Sequence, residues 1–240
     1  MRYSANLNII VKAIEKATAR MSRDFIELEN LQTNPASAMK FSQACYNKVK
    51  QTLAEDFMKL RPDYNLIFSD GQKVIQRKDA EYSYVIFPVD GFDNLTRSSH
   101  DFTVAVALEH INENGQKEAI SVAVNKLVGN ELYYCEKGFG AFLNNRRIRV
   151  SKRTASDGMI IASEDQSFFN SEVFEKLNIK NYSQRTYGCR TLEAAYLASS
   201  RLEMAMFKNQ NYELLKPFLL LVREAGGKIS ENEKFIMAGA

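Results

Sequence analysis

The hydrophobic periodicity of the chain changes twice along its length, and these changes limit the folds open to it. Leu7, Ile10, Val11, Ile14, Ala17 and Met21 recur at the spacing of one helix face, predicting a first helix over about 5–28. Asn34-Pro35 breaks the chain. Phe41, Val49, Leu53 and Phe57 then mark the buried side of a second helix over about 38–60, ending before Pro62. Beyond it the pattern becomes short apolar runs of strand length at 64–68, 82–89, 102–108, 119–124, 131–136 and 159–163. Lys126 to Asn130 reads as a hairpin turn, and Gly138 and Gly140 begin another. After residue 164 the two kinds alternate: a helix at 171–177, a helix at 189–200, a strand at 201–207, and a helix at 213–225 closed by Gly226-Gly227. N-terminal helices (5–60), a main sheet (64–163) and a βαβα part (164–240) suit stacked layers of helix and sheet in one α/β domain spanning 1–240.

Composition excludes several classes. With 45% hydrophobic and 25% charged residues among 240, the chain is expected to be globular. A net charge of +3 gives no general argument for nucleic-acid binding. The apolar runs, such as Phe218 to Val222, fall far short of the roughly 20 residues a membrane-spanning helix needs. Cys45, Cys135 and Cys189 are odd in number and widely spaced. That argues against a disulfide framework and a zinc site, and points to the reducing cytoplasm. Lys12, Lys16 and Arg20 lie on the first amphipathic segment, which reads as a surface helix rather than a transit peptide.

Phe87-Pro88-Val89-Asp90-Gly91-Phe92-Asp93-Asn94 is the segment with most chemistry. An Asp-Gly turn at a strand end presents a carboxylate beside bare backbone N–H groups, which can hold a cation and a phosphate together. Taken alone, the Asp-Gly pair favours an ordinary strand-to-helix turn, because both residues are common in turns.

The longer run Tyr84 to Leu95 resembles the signature W-V-I-D-P-L-D-G-T-T-N-F of the inositol monophosphatase family, SuhB type. Phe102 to Leu108 is similar to the family's next strand. Gly138 to Asn144 is similar to its G-x-G-A-x-L-N block, and Gly188 to Arg201 to its G-S-A-A-L-D-L-A-Y-V-A-x-G-R helix. Leu220 to Gly227 resembles its L-L-V-R-E-A-G-G close. The resemblance implies an αβαβα sandwich of the type shared with fructose bisphosphatases. It also implies phosphate-monoester hydrolysis by carboxylate-held Mg²⁺, which activates water and neutralises the phosphate.

Position by position, the family's site is broken. Its first glutamate falls on Asp70, but the next, its water-activating partner, falls on Gly71. The first Asp of the signature is Phe87, the second is Asp90, and the two Thr are Phe92 and Asp93. Gly91 and Asn94 are kept. The later W-D pair falls on Glu213 and Leu214, or on Tyr212 and Glu213 with a one-residue shift. The substrate-hydroxyl acid is Phe207, and the acid-bearing segment between the first helices reads Ala36 to Tyr46 without an acid.

The remaining metal candidates are Asp70, Asp90 and Asp93, able at most to gather one ion weakly. Gly91, Asn94 and Cys189 are the remnants of a phosphate or substrate site, and no catalytic residue is assigned. Three functions stay open: an inactive or impaired homologue acting through a partner, a phosphatase with a reduced Mg²⁺ site, and a phosphate binder without turnover. The resemblance further implies a homodimer and a partner in the transcription machinery or RNA. His100 and His110 read as ordinary solvated or packed histidines. Arg146, Arg147, Arg149, Lys152 and Arg153 form a basic cluster, either a solvated turn or a contact to an acidic partner, RNA or phosphate.

Overall fold

A computed structural model describes residues 4–154, 156–208, 212–231 and 235–239. The elements are helices α1 (Ala5–Thr18), α2 (Met21–Asn30) and α3 (Pro35–Leu60), then β1 (Asn65–Phe68), β2 (Lys73–Val74), β3 (Tyr82–Asp90), α4 (Phe92–Thr96), β4 (Thr103–Ile111), β5 (Lys117–Lys126), β6 (Glu131–Glu136), β7 (Gly140–Leu143) and β8 (Arg146–Ile148). They continue with β9 (Met159–Ser163), α5 (Glu172–Lys176), β10 (Tyr182–Arg185), α6 (Arg190–Ala198), β11 (Met204–Lys208), α7 (Tyr212–Leu215), α8 (Leu220–Glu224), β12 (Lys228–Glu231) and β13 (Phe235–Gly239).

Two sheets form, with orders β2-β1-β3-β4-β5-β6-β7-β8 and β10-β9-β11-β13-β12. In the larger sheet only β1 and β3 are parallel neighbours; the other pairs are antiparallel. Successive side chains of a strand point to opposite faces, and both faces of this sheet are apolar. Tyr84, Ile86, Val104, Val106 and Leu108 pack with Leu7, Ile14, Leu53 and Phe57 of α1 and α3. Val85, Phe87, Ala105 and Ala107 join Ala195, Leu197, Leu221 and Val222 of α6 and α8, together with Ala162, Ala205 and Phe207 of the second sheet. On that sheet's far face, Ile161 and Met206 meet Phe168, Phe169 and Phe174. The layers therefore read helix, sheet, helix, sheet, helix, the expected αβαβα sandwich.

Several boundaries differ from the sequence reading. The first helix divides at Ala19-Arg20: Thr18 donates its hydroxyl to Ile14 O (2.8 Å), a bond that bends helices, and α2 then swings Met21, Phe25 and Leu28 into the core. The next helix starts at Pro35 rather than 38. Proline's missing N–H costs nothing at a first turn, and Asn34 caps it by accepting from Ser37 N (3.1 Å). The predicted helix at 213–225 is α7 and α8 separated by a 3-10 turn at Lys216–Leu219, where Pro217 cannot donate to the ladder. The strand at 159–163 lies outside the main sheet: it pairs in parallel with β10 and β11. Gly140, expected in a turn, instead begins β7. Glu224 at the end of α8 accepts from both Gly138 N (2.8 Å) and Gly140 N (2.7 Å), fixing that hairpin.

Candidate functional site

Because β1 and β3 run in parallel, their C-terminal ends bring the 70–72 turn and the 90–94 turn to one edge of the large sheet. Ser69 N donates to Ile86 O (2.9 Å) across that edge. The register of β3 slips against β4 between Phe87 and Asp90, where Pro88 has no N–H to pair. Gly91 follows with φ +79°. A Cβ there would stand 2.7 Å from Asp101 O and 3.1 Å from Cys189 Cβ. Gly91→Ala is therefore expected to lose about 2 kcal/mol or more of stability from left-handed backbone strain alone, measurable as a lower urea midpoint.

The N-terminal end of α6 meets this edge. Asp90 Oδ2 accepts from Thr191 N (2.7 Å), Thr191 Oγ1 (2.8 Å) and Cys189 Sγ (3.4 Å). Thr191 Oγ1 lies 2.6 Å from Thr103 Oγ1. Burial raises the Asp90 carboxyl, opposed by the Thr191 and Cys189 bonds and by the charge of Arg190. The Cys189 thiol is driven well up by burial and then by the Asp90 charge; with 1% exposure it is a packed thiol. Asn94 donates through Nδ2 to Asp101 O (2.7 Å) and Tyr187 O (2.6 Å), stapling two loops. Arg190 pairs with Glu164 at 3.0 Å.

Asp70 belongs to a different network. Lys50 of α3 donates to its Oδ2 and to Gln72 Oε1 (2.7 Å), Tyr46 OH reaches Oδ2 at 3.2 Å, and Gln72 N donates to Oδ1 (3.0 Å). Burial alone would raise this carboxyl, but the bonds from Lys50 and Gln72 and the Lys50 charge hold it below its ordinary value. Asp93 is exposed in the first turn of α4. Asp70 and Asp90 are thus held by separate networks. Among the described residues no three His, Cys, Asp or Glu side chains converge to hold an ion.

The other family positions explain why. Phe87 is 8% exposed, with its ring 5.0 Å from Phe218. Phe207 is fully buried in the same core. Tyr212 is buried and donates to Glu231 Oε1 (2.8 Å). Glu213 lines a cleft of about 660 Å³ with Glu109, Lys117 and Lys216. Asp90 pairs with Thr103 at the opposite end of β4 from Glu109, a separation of roughly 20 Å at strand rise. Shifting the W-D pair by one residue therefore brings no carboxylate to Asp90. The donor set does not fit Mg²⁺, which wants near-octahedral oxygen ligation.

Thr191, Thr103, Lys50 and Glu193 escaped the sequence reading. Lys50 lies four residues beyond Tyr46, on one helix face, the signal available for that pair. Glu193 of α6 is 1% exposed, accepts from Tyr187 N (3.3 Å) through Oε1, and leaves Oε2 buried without a partner. His100 packs on Phe25 and His110 on Tyr82. In the basic cluster, Arg146, Arg147, Arg149 and Lys152 are exposed, while Arg153 pairs with buried Glu203 at 3.0 Å.

Comparison with known proteins decides the family. The sequence profile described as Inositol monophosphatase family matches residues 2–234. The chain belongs to the inositol monophosphatase family. Within that family it is 30% identical over 239 residues to the inositol-1-monophosphatase of Rhizobium meliloti (strain 1021), covering 97% of this chain and 88% of that protein. It is 26% identical over 231 residues to Nus factor SuhB of Xylella fastidiosa (strain Temecula1), covering 94% and 81%. The crystal structure of extragenic suppressor protein suhB from Bartonella henselae superposes with a TM-score of 0.80 at 25% identity, over 99% of this chain and 94% of that one. No helix among the described residues is long and apolar enough to cross a membrane.

Proposed function

We propose that this inositol monophosphatase family member is a catalytically impaired or inactive homologue that acts by binding a partner. Asp90 carries the reading. The carboxylate that should face a metal is instead an internal acceptor, held by the Thr191 N–H and hydroxyl and by Cys189. Phe87 and Gly71 stand where two further acids belong. Altering even the outer partners of a metal site costs 10- to 100-fold. With ligands themselves replaced, Mg²⁺-dependent phosphate release from inositol 1-phosphate should lie at least about 100-fold below that of the Rhizobium meliloti relative assayed in parallel. Turnover within tenfold of that relative would overturn the proposal.

The partner side is supported by the relatives named Nus factor SuhB and by the exposed Arg146, Arg147, Arg149 and Lys152. The partner proposed is a component of the transcription machinery or its RNA, engaged by a cytoplasmic homodimer. A second reading, a Mg²⁺-dependent phosphomonoesterase with a reduced site, draws on one observation. Asp90 is partly accessible, and its Oδ1 takes part in none of the bonds that hold Oδ2. Gly91 and Asn94 would then remain as parts of a phosphate cradle.

A further inference from the structure

We infer that Lys50 is a built-in cation that occupies Asp70 in place of a divalent ion and excludes such ions from the 70–72 turn. The inference deepens the impaired-site reading and rests on it. Lys50 stands on α3 one helical turn after Tyr46, so both reach the same turn. Its side chain is less exposed than its partner's, 15% against 34%. The ammonium lies 4.7 Å from the centre of the Phe68 ring, a favourable placement for a cation. From there it donates to Asp70 Oδ2 and to Gln72 Oε1.

Both oxygens of Asp70 are committed, Oδ2 to Lys50 and Tyr46, Oδ1 to Gln72 N. A divalent ion at this carboxylate would have to displace a bonded ammonium that is itself packed in place. If the ammonium stayed, the ion would sit against a like charge. Gln72 and Tyr46 are oxygen-bearing neighbours that a metal could otherwise have used. The same turn therefore becomes a candidate half-site once the lysine charge is removed.

Mn²⁺ alone is the probe, with free ion counted by electron spin resonance in the full-length wild-type chain, Lys50→Met, Asp70→Asn and the double variant. Lys50→Met keeps the apolar stem and removes the charge. It should bind Mn²⁺ at least about tenfold more tightly than wild type, a factor typical of one unit charge acting over about 4 Å near a screened surface. The gain should vanish in the double variant, and Asp70→Asn alone should match wild type. Lys50→Gln, which keeps a polar end, should show the same gain if the methionine variant folds poorly. No gain in either variant, or wild-type binding that Asp70→Asn abolishes, would overturn the inference. Phosphate release supported by Mn²⁺ binding that Asp70→Asn leaves untouched would defeat the impaired-site reading while leaving the role of Lys50 intact.

Discussion

Phe87→Asp, the substitution that writes the family's missing carboxylate back into the signature, should largely unfold the protein rather than revive a metal site. The Phe87 side chain points into the core between the large sheet and the C-terminal helices, edge-on to Phe218. Truncating a buried phenylalanine costs about 3–5 kcal/mol, and an unpaired carboxylate in the same place adds several more. The sum, above about 5 kcal/mol, is comparable to the entire stability of a typical domain. Phe87→Leu is the control, since a near-volume apolar exchange should cost below about 1.5 kcal/mol. Urea unfolding followed by circular dichroism compares the two. An Asp variant within about 2 kcal/mol of wild type would show that this position faces solvent or an ion and not the core, since that loss is less than the truncation alone.

The second large effect is a dependence of stability on pH set by Glu193. Burial pushes its carboxyl from 4.5 up to about 8, with the charges of Asp90 and Glu164 adding to the rise and Tyr187 N and Arg190 opposing it. The folded state therefore holds this proton more tightly than the unfolded chain. The contribution is fully present below about pH 4.5, declines as pH rises, and is lost through pH 8. Every tenfold difference in proton affinity between the folded and unfolded chain is worth about 1.4 kcal/mol, so the decline across this window is on the order of 4 kcal/mol. Asp90 is raised in the same sense, and the difference from Glu193→Gln isolates Glu193. Urea midpoints at about pH 5.5 and about pH 8.5 should diverge strongly in wild type and clearly less in Glu193→Gln, where the Oε1 acceptor for Tyr187 N is kept. Equal divergence in both would rule Glu193 out as the source.

The layered fold was legible because its signals are local and repeated. Leu7 to Ala17 at helical spacing and the strand at 82–89 each identify their element without tertiary help. What was missed depended on contacts far apart in sequence. β10 has one half-buried and three exposed residues, Tyr182 to Arg185, so it lacks the apolar alternation that reveals a strand. Pro217 lies inside the helix predicted over 213–225, where its missing N–H divides the segment in two. At the site, the resemblance to the family signature implies that Phe87 and Gly71 stand where acids are expected. The partners of the acids that remain could not be read from the sequence: Thr191 is 101 positions from Asp90, and Lys50 is 20 from Asp70.

The middle helical layer has a bearing on how this chain could be divided. Ala195, Leu197, Leu221 and Val222 belong to one apolar interior whose opposite walls come from different sheets, Val85 and Ala105 on one side and Ala162 and Phe207 on the other. A cut between residues 148 and 159 falls between the sheets in sequence yet passes through no seam in space. Either fragment would carry off half the walls of a single oily chamber and leave the rest open to water.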